Sequence, residues 1–227
     1  MLRLPAVLAT VVLTVSAAAA QTTKVGIRLL AFSRVGDDLE TLVADASGKP
    51  LDGQPLALPT EQLSPLRRVP QASLVFRSPK TPEKILGKVS LPAGADQFVL
   101  VFLPAAPGGS GIYQIHAVPM PAGSFRSGDH AFLNYSGTAV GCVIGTERLT
   151  VPHGKATIYH AANPGQGKGN RSLVCYRQQD GKWEDSPFFS GRIIVQEGVR
   201  NLILIYLDPA TKSIDFRGIA DFVETAP

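Results

Sequence analysis

The chain has 227 residues, a net charge of +4 and an aromatic content of 7%. Its cations are scattered, with Arg67-Arg68 the one close group, which argues against the clustered basic face of a nucleic-acid module. Eighteen prolines argue against a helical protein, and the two cysteines form no C-x-x-C pair for thiol redox catalysis.

In residues 1–20, Arg3 precedes an apolar run through Leu13 and Val15, and Ala17 to Ala20 follow. Ala18-x-Ala20 is a small-residue cleavage pattern, so the segment reads as a secretory signal peptide cleaved after Ala20. The apolar run is short for a membrane span, which takes about 20 residues, and Pro5 interrupts it. No later run reaches spanning length. The mature chain is therefore expected to be soluble in a periplasm or outside the cell. It loses Arg3, which lowers the net charge from +4 to +3 (4 − 1).

From Gln21 onward the signals are for strands and turns. Residues 25–32 are apolar-rich, a turn follows at Gly36-Asp37, and residues 39–44 and 54–58 read as strands. The one place where a short helix is plausible is 59–70, where Thr60 could start one but Pro65 would end it early, so no helix of useful length is expected. Further strands are predicted at 73–76, 85–91 and 98–103. The last is a six-residue apolar run, the pattern of a strand buried on both faces or in a sandwich core. PAAPGGSG at 104–111 is the clearest break in the chain. Beyond it, strands are predicted at 113–118, 130–135, 139–144, 148–151, 156–159, 172–177, 191–195, 201–207 and 213–216. Asp180-Gly181 before Lys182-Trp183 marks a hairpin, and NPGQGKGN at 163–170 reads as a loop.

An apparent repeat spans this pattern. GKVSLPAGADQFVLVFL at 87–103 aligns without a gap with GRIIVQEGVRNLILIYL at 191–207, an offset of 104 (191 − 87). Upstream, SLVFR at 73–77 resembles SLVCYR at 172–177, LALP at 56–59 resembles LTVP at 149–152, and VGD at 35–37 resembles SGD at 127–129. A period near 100 suits duplication of a whole domain. The expected fold is all-β: two tandem antiparallel β-sandwich units, immunoglobulin-like, related by internal duplication. The boundaries drawn are 1–20 for the signal peptide, 21–106 for the first unit, 107–112 for a linker and 113–227 for the second unit.

Cys142 and Cys175 are the only cysteines, and after export they meet an oxidising compartment, so a disulfide is expected. Closing a loop of about 33 residues, it would contribute roughly 3–4 kcal/mol in the chain-entropy picture. No other site residue is assigned: no catalytic, cofactor-binding or metal-binding set emerges. His116, His130, His153 and His160 lack the spacing that gathers imidazoles, and no His or Met follows Cys175 to complete a blue-copper set. Gly108-Gly109-Ser110-Gly111 lacks the last glycine of a nucleophile elbow. Asp37-Asp38 and Glu184-Asp185 read as solvated turn residues, and Gly165-x-Gly167-x-Gly169 follows no strand-then-helix unit. Trp183 with Tyr176, Phe188 and Phe189 raises a sugar-binding platform, against which core packing of Phe188-Phe189 is favoured. Asn134-Tyr135-Ser136 and Asn170-Arg171-Ser172 match the glycosylation sequon, which matters only in a eukaryotic secretory pathway.

The segments PAGSFRSGDHAFLNYSG, VIGTERLTVPHGKATI and LILIYLDPATKSIDFRGI resemble secreted bacterial β-sandwich proteins of unknown function. The resemblance covers about half the chain, contains no catalytic motif, and implies export and a sandwich-like fold. Tandem sandwiches of this size also resemble periplasmic pilus chaperones in architecture, an analogy of fold alone. The function expected is a non-enzymatic binding or structural module of the cell envelope, without cofactor. The alternatives are an assembly factor that engages a protein partner through an exposed edge strand at 98–103 or 201–207, and an enzyme with a sparse or metal-dependent site.

Overall fold

The computed structural model describes residues 23–105, 111–161, 169–208 and 211–223. The expected signal peptide and its cleavage site lie outside them, as do most of the PAAPGGSG segment and the loop residues 163–168. The described strands, in chain order, are β1 (Lys24–Ala31), β2 (Glu40–Ala44), β3 (Leu56–Ala57), β4 (Arg67–Pro70), β5 (Ser73–Arg77), β6 (Ile85–Ser90), β7 (Gln97–Pro104) and β8 (Tyr113–Pro119). They continue with β9 (His130–Tyr135), β10 (Val140–Ile144), β11 (Glu147–Val151), β12 (Ala156–Tyr159), β13 (Gly169–Gln179), β14 (Lys182–Trp183), β15 (Phe189–Val195), β16 (Val199–Leu207) and β17 (Ile214–Phe222). The protein is all-β, and no helix occurs among the described residues.

The segment 59–70, the one place where the sequence makes a short helix plausible, is extended chain ending in β4. Pro59, Pro65 and Pro70 deny a helix its backbone donors, and the segment instead runs along β1. Ala31 donates its backbone N–H to Pro59 at 2.8 Å, and Ser64 donates its own to Leu29 at 3.0 Å. The Ser64 hydroxyl accepts the Leu29 N–H at 2.8 Å.

Four sheets form. Two are inner, in the orders β4-β1-β7-β8 and β12-β9-β16-β17. Two are outer: β3-β2-β5-β6, and β11-β10-β13-β14 with β15 also on β13. Pairing is antiparallel except for β1 with β7 and β9 with β16, which are parallel, so the expectation of wholly antiparallel sheets fails at those two pairs. β8 pairs with β7, with Tyr113 opposite Pro104. The strand expected to open a second unit at 113 thus belongs to the sheet before the break, and the chain passes between the two sets of sheets after β8.

Three apolar layers separate the four sheets. The first is built by Val43, Leu74, Phe76 and Leu86 from one outer sheet against Ile27, Leu29, Phe98, Leu100 and Phe102. The middle layer joins the opposite face of that inner sheet to the second inner sheet, with Leu30, Val99 and Val101 against Leu133, Leu202 and Leu204. The third packs Phe132, Ile203 and Ile205 on Cys142, Ile144, Leu173 and Cys175. Strands of the inner sheets are therefore buried on both faces. Six consecutive residues of β7, all six of β9 and five of β16 are buried. Such strands read as continuous apolar runs because neither face is left to be polar.

Where β6 passes β8 the backbones nearly touch. A Cβ on Gly87 would lie 2.8 Å from the Tyr113 carbonyl oxygen and 2.6 Å from Ile115. Gly191 would meet only the Phe189 ring, at 3.0 Å. Gly87→Ala is therefore expected to cost about 1–3 kcal/mol, in the range of overpacked cores, and Gly191→Ala less. Urea unfolding of the two variants orders them directly.

Candidate functional site

The β13–β14 hairpin turns through Asp180 and Gly181, which adopt φ of 50° and 77°. Two central residues at positive φ are the requirement of the hairpin turn that an Asp-Gly dipeptide meets. The turn sets Gln178 opposite Trp183, and Trp183 folds back over β10. A Cβ on Gly141 would lie 3.1 Å from the indole ring, so glycine is what lets the ring settle there. Gly141 has Thr150 of β11 on one side and Tyr176 of β13 on the other as cross-strand partners. Thr150, Gly141 and Tyr176 thus form one row on one face of the sheet.

The result is a trough of about 330 Å³ lined by Gly141, Arg148, Thr150, Tyr176, Trp183 and Glu184. It lies at the small end of the roughly 300–1,000 Å³ range of ligand pockets. Trp183 is 45% exposed, unusual for so large an apolar ring. Arg177 fixes the rim: its Nε donates to Glu184 Oε1 at 2.8 Å, and its Nη2 donates to the same oxygen. An aromatic face bordered by a guanidinium, a carboxylate and a hydroxyl can stack on a ring and hydrogen-bond its polar edge. A larger depression of about 650 Å³, lined by Ser33, Arg34, Thr60, Glu61 and Arg217 among others, offers no aromatic face, so volume does not mark the site.

The four aromatics singled out in the sequence separate into two groups. Trp183 and Tyr176 share the trough. Phe188 and Phe189 pack against the third apolar layer, with Phe189 stacked on Phe216 at 3.9 Å. Cys142 and Cys175 are directly opposite on β10 and β13 and form a disulfide buried in that layer. Gly141, Arg148 and Thr150 were not singled out. A glycine inside the apolar strand VGCVIG is the one sequence signal of close approach that pointed there.

The histidines take structural posts. His116 packs on Tyr135 at 4.5 Å, and His153 Nδ1 accepts the Gly137 N–H at 3.0 Å. His160 Nδ1 lies 2.9 Å from Asp129 Oδ2, and His130 Nε2 lies 3.3 Å from Asn201 Nδ2. Among the described residues no three His, Cys, Asp or Glu side chains are arranged to hold a metal ion. Burial pushes the pKa of His130 and His116 below the ordinary imidazole value, with His153 adding to the effect at His116. The unfolded chain then binds protons that the native state resists, so stability should fall as pH drops below about 6.5. Melting temperatures at neutral and mildly acid pH check the sign, and His116→Phe, which keeps the ring on Tyr135, should shrink the drop.

Asp38, expected in a solvated turn, is buried. Burial works against its carboxylate, but hydrogen bonds from Lys84 at 2.8 Å and Ser78 at 2.5 Å outweigh it and hold the pKa below the usual carboxylate value. Gly169 opens β13, whereas Gly165, Gly167 and Gly108 to Ser110 lie outside the described residues. Asn134 is fully buried and donates its amide to Thr138 and Val151 carbonyls at 2.8 and 2.7 Å, which closes that sequon to a glycan. The two strands considered for edge docking are interior: β7 lies between β1 and β8, and β16 between β9 and β17. Their backbone groups are taken on both sides, so neither can accept a partner strand.

No protein-family model matches the sequence, and no curated protein matches it significantly.

Proposed function

We propose that the protein is an exported, non-catalytic binding module of the cell envelope that grips a glycan in the Trp183 trough. The observation that carries this is the half-exposed indole seated over Gly141 beside Tyr176, with Arg148, Thr150 and Glu184 at the rim. A pyranose ring can stack on the indole while its hydroxyls meet the charged rim. Export is supported by the leader-like residues 1–20, and export in turn suits a disulfide.

The module is built as two sandwich units, β1–β8 and β9–β17, that arose by internal duplication. In support, every pairing among β1–β8 has a counterpart: β1 with β4, β7, and β7 with β8 correspond to β9 with β12, β16, and β16 with β17. Likewise β2 with β3, β5, and β5 with β6 correspond to β10 with β11, β13, and β13 with β15. Three of the four similar segment pairs fall on corresponding strands. The fourth does not, since Gly36 follows β1 whereas Gly128 precedes β9.

Trp183 is the only tryptophan, so its emission reports on the trough alone. Titration with envelope glycan fragments should shift that emission saturably, and Gly141→Val should weaken binding by about 30-fold or more, the size of an anchor residue's effect. If no fragment shifts the emission, the glycan-binding proposal fails.

A further inference from the structure

A second cleft, lined by Arg28 and Arg200, lies on the seam between the two inner sheets. Asp221 of β17 is 4% exposed and is held by two arginines from different sheets. Arg28 of β1 donates from Nη1 to both carboxylate oxygens at 2.8 and 3.0 Å and from Nε to the Ser64 carbonyl at 2.9 Å. Arg200 of β16 donates from Nε to Asp221 at 2.7 Å and from Nη1 to the Phe125 carbonyl at 2.6 Å. Its guanidinium also lies 4.9 Å from the centre of the Phe125 ring.

One buried carboxylate needs one cation to be neutral, yet two are supplied, so the cluster carries an excess positive charge. Each guanidinium has five N–H donors, and the Nη2 groups of Arg28 and Arg200 have no partner among the described residues. Both arginines line a cleft of about 210 Å³, and Asp221 does not. The cleft therefore faces the cations and not the anion that orients them. Its remaining walls include the apolar side chains of Leu63, Leu66, Met120 and Phe125.

We propose that this cleft binds a small organic acid: a carboxylate on the two free guanidinium ends, with an apolar body no larger than a single ring between the walls. Asp221 holds both guanidiniums, with the Ser64 carbonyl fixing that of Arg28 and the Phe125 ring that of Arg200, so binding orders little. The ligand bridges β1 and β16 and thereby ties the two inner sheets together. This site is separate from the Trp183 trough and stands whether or not that trough binds a glycan.

Calorimetric titration of the mature chain with benzoate and with isovalerate tests it. Saturable binding of either acid at up to about 10 mM, with neutral benzamide at least tenfold weaker, is the expected result. Leu66→Trp fills the mouth of the cleft without touching the Asp221 ion pairs, and should abolish binding while leaving the melting temperature of the free protein in place. Equal binding of benzoate and benzamide, binding of inorganic phosphate as tight as benzoate, undiminished binding by Leu66→Trp, or no binding of either acid would each overturn the proposal.

Discussion

Leu202→Asp should leave the chain without a cooperative native state. Leu202 is fully buried in the middle layer, paired with Ala131 on β9 and Ile219 on β17, both in the same layer. An aspartate there loses the apolar contacts and places a carboxylate among hydrocarbon with no cation as a cross-strand partner. The effective penalty for an unpaired buried charge is several kcal/mol, against a total stability of about 5–15 kcal/mol for a typical domain. The contrast is Ile194→Asp, at a side chain 53% exposed on β15. That change should stay within about 0.5 kcal/mol, as surface substitutions do. Circular dichroism and urea titration of the pair measure both effects. A native-like Leu202→Asp protein would mean that the inner sheets do not depend on each other.

Removing the disulfide should be the second large effect. Cys142 and Cys175 face each other with their Cα atoms 4.2 Å apart, and the bond closes a loop with a sequence separation of 33. By chain entropy alone, the double change Cys142→Ala, Cys175→Ala should cost about 3–4 kcal/mol. The loss should appear as a lower urea midpoint. Because Cys142 neighbours Gly141, the floor of the trough, the emission of Trp183 should change as well. A midpoint unaffected by the substitutions would show that β10 and β13 are held by packing alone.

The strands themselves were legible because their residues are β-branched and aromatic and are bounded by Gly, Pro and Asp-Gly turns. Layering was not. Once both faces of a strand are buried, the period of two disappears from its sequence, so β7, β9 and β16 carry no mark of which side faces which neighbour. The ungapped repeat shows the consequence. It sets Phe98 against Leu202, yet Phe98 faces the first layer and Leu202 the middle one. A slip of one residue reverses every side chain of a strand, and an all-apolar run does not reveal it. The trough was half legible: Trp183 and Tyr176 stood out as aromatics, whereas Arg148 and Thr150 look like any polar residues of an edge strand. Arg28, Arg200 and Asp221 are charges beside or within apolar strands, which points to partners without naming them.

Native-state hydrogen exchange in rising urea tests most directly whether the four sheets form one body through the middle layer. With that layer shared, the most protected amides of β7 and of β16 should open at the same free energy and with the same urea dependence. If the amides of β7 open at a clearly lower free energy than those of β16, or the reverse, the halves unfold separately and the middle layer does not join them.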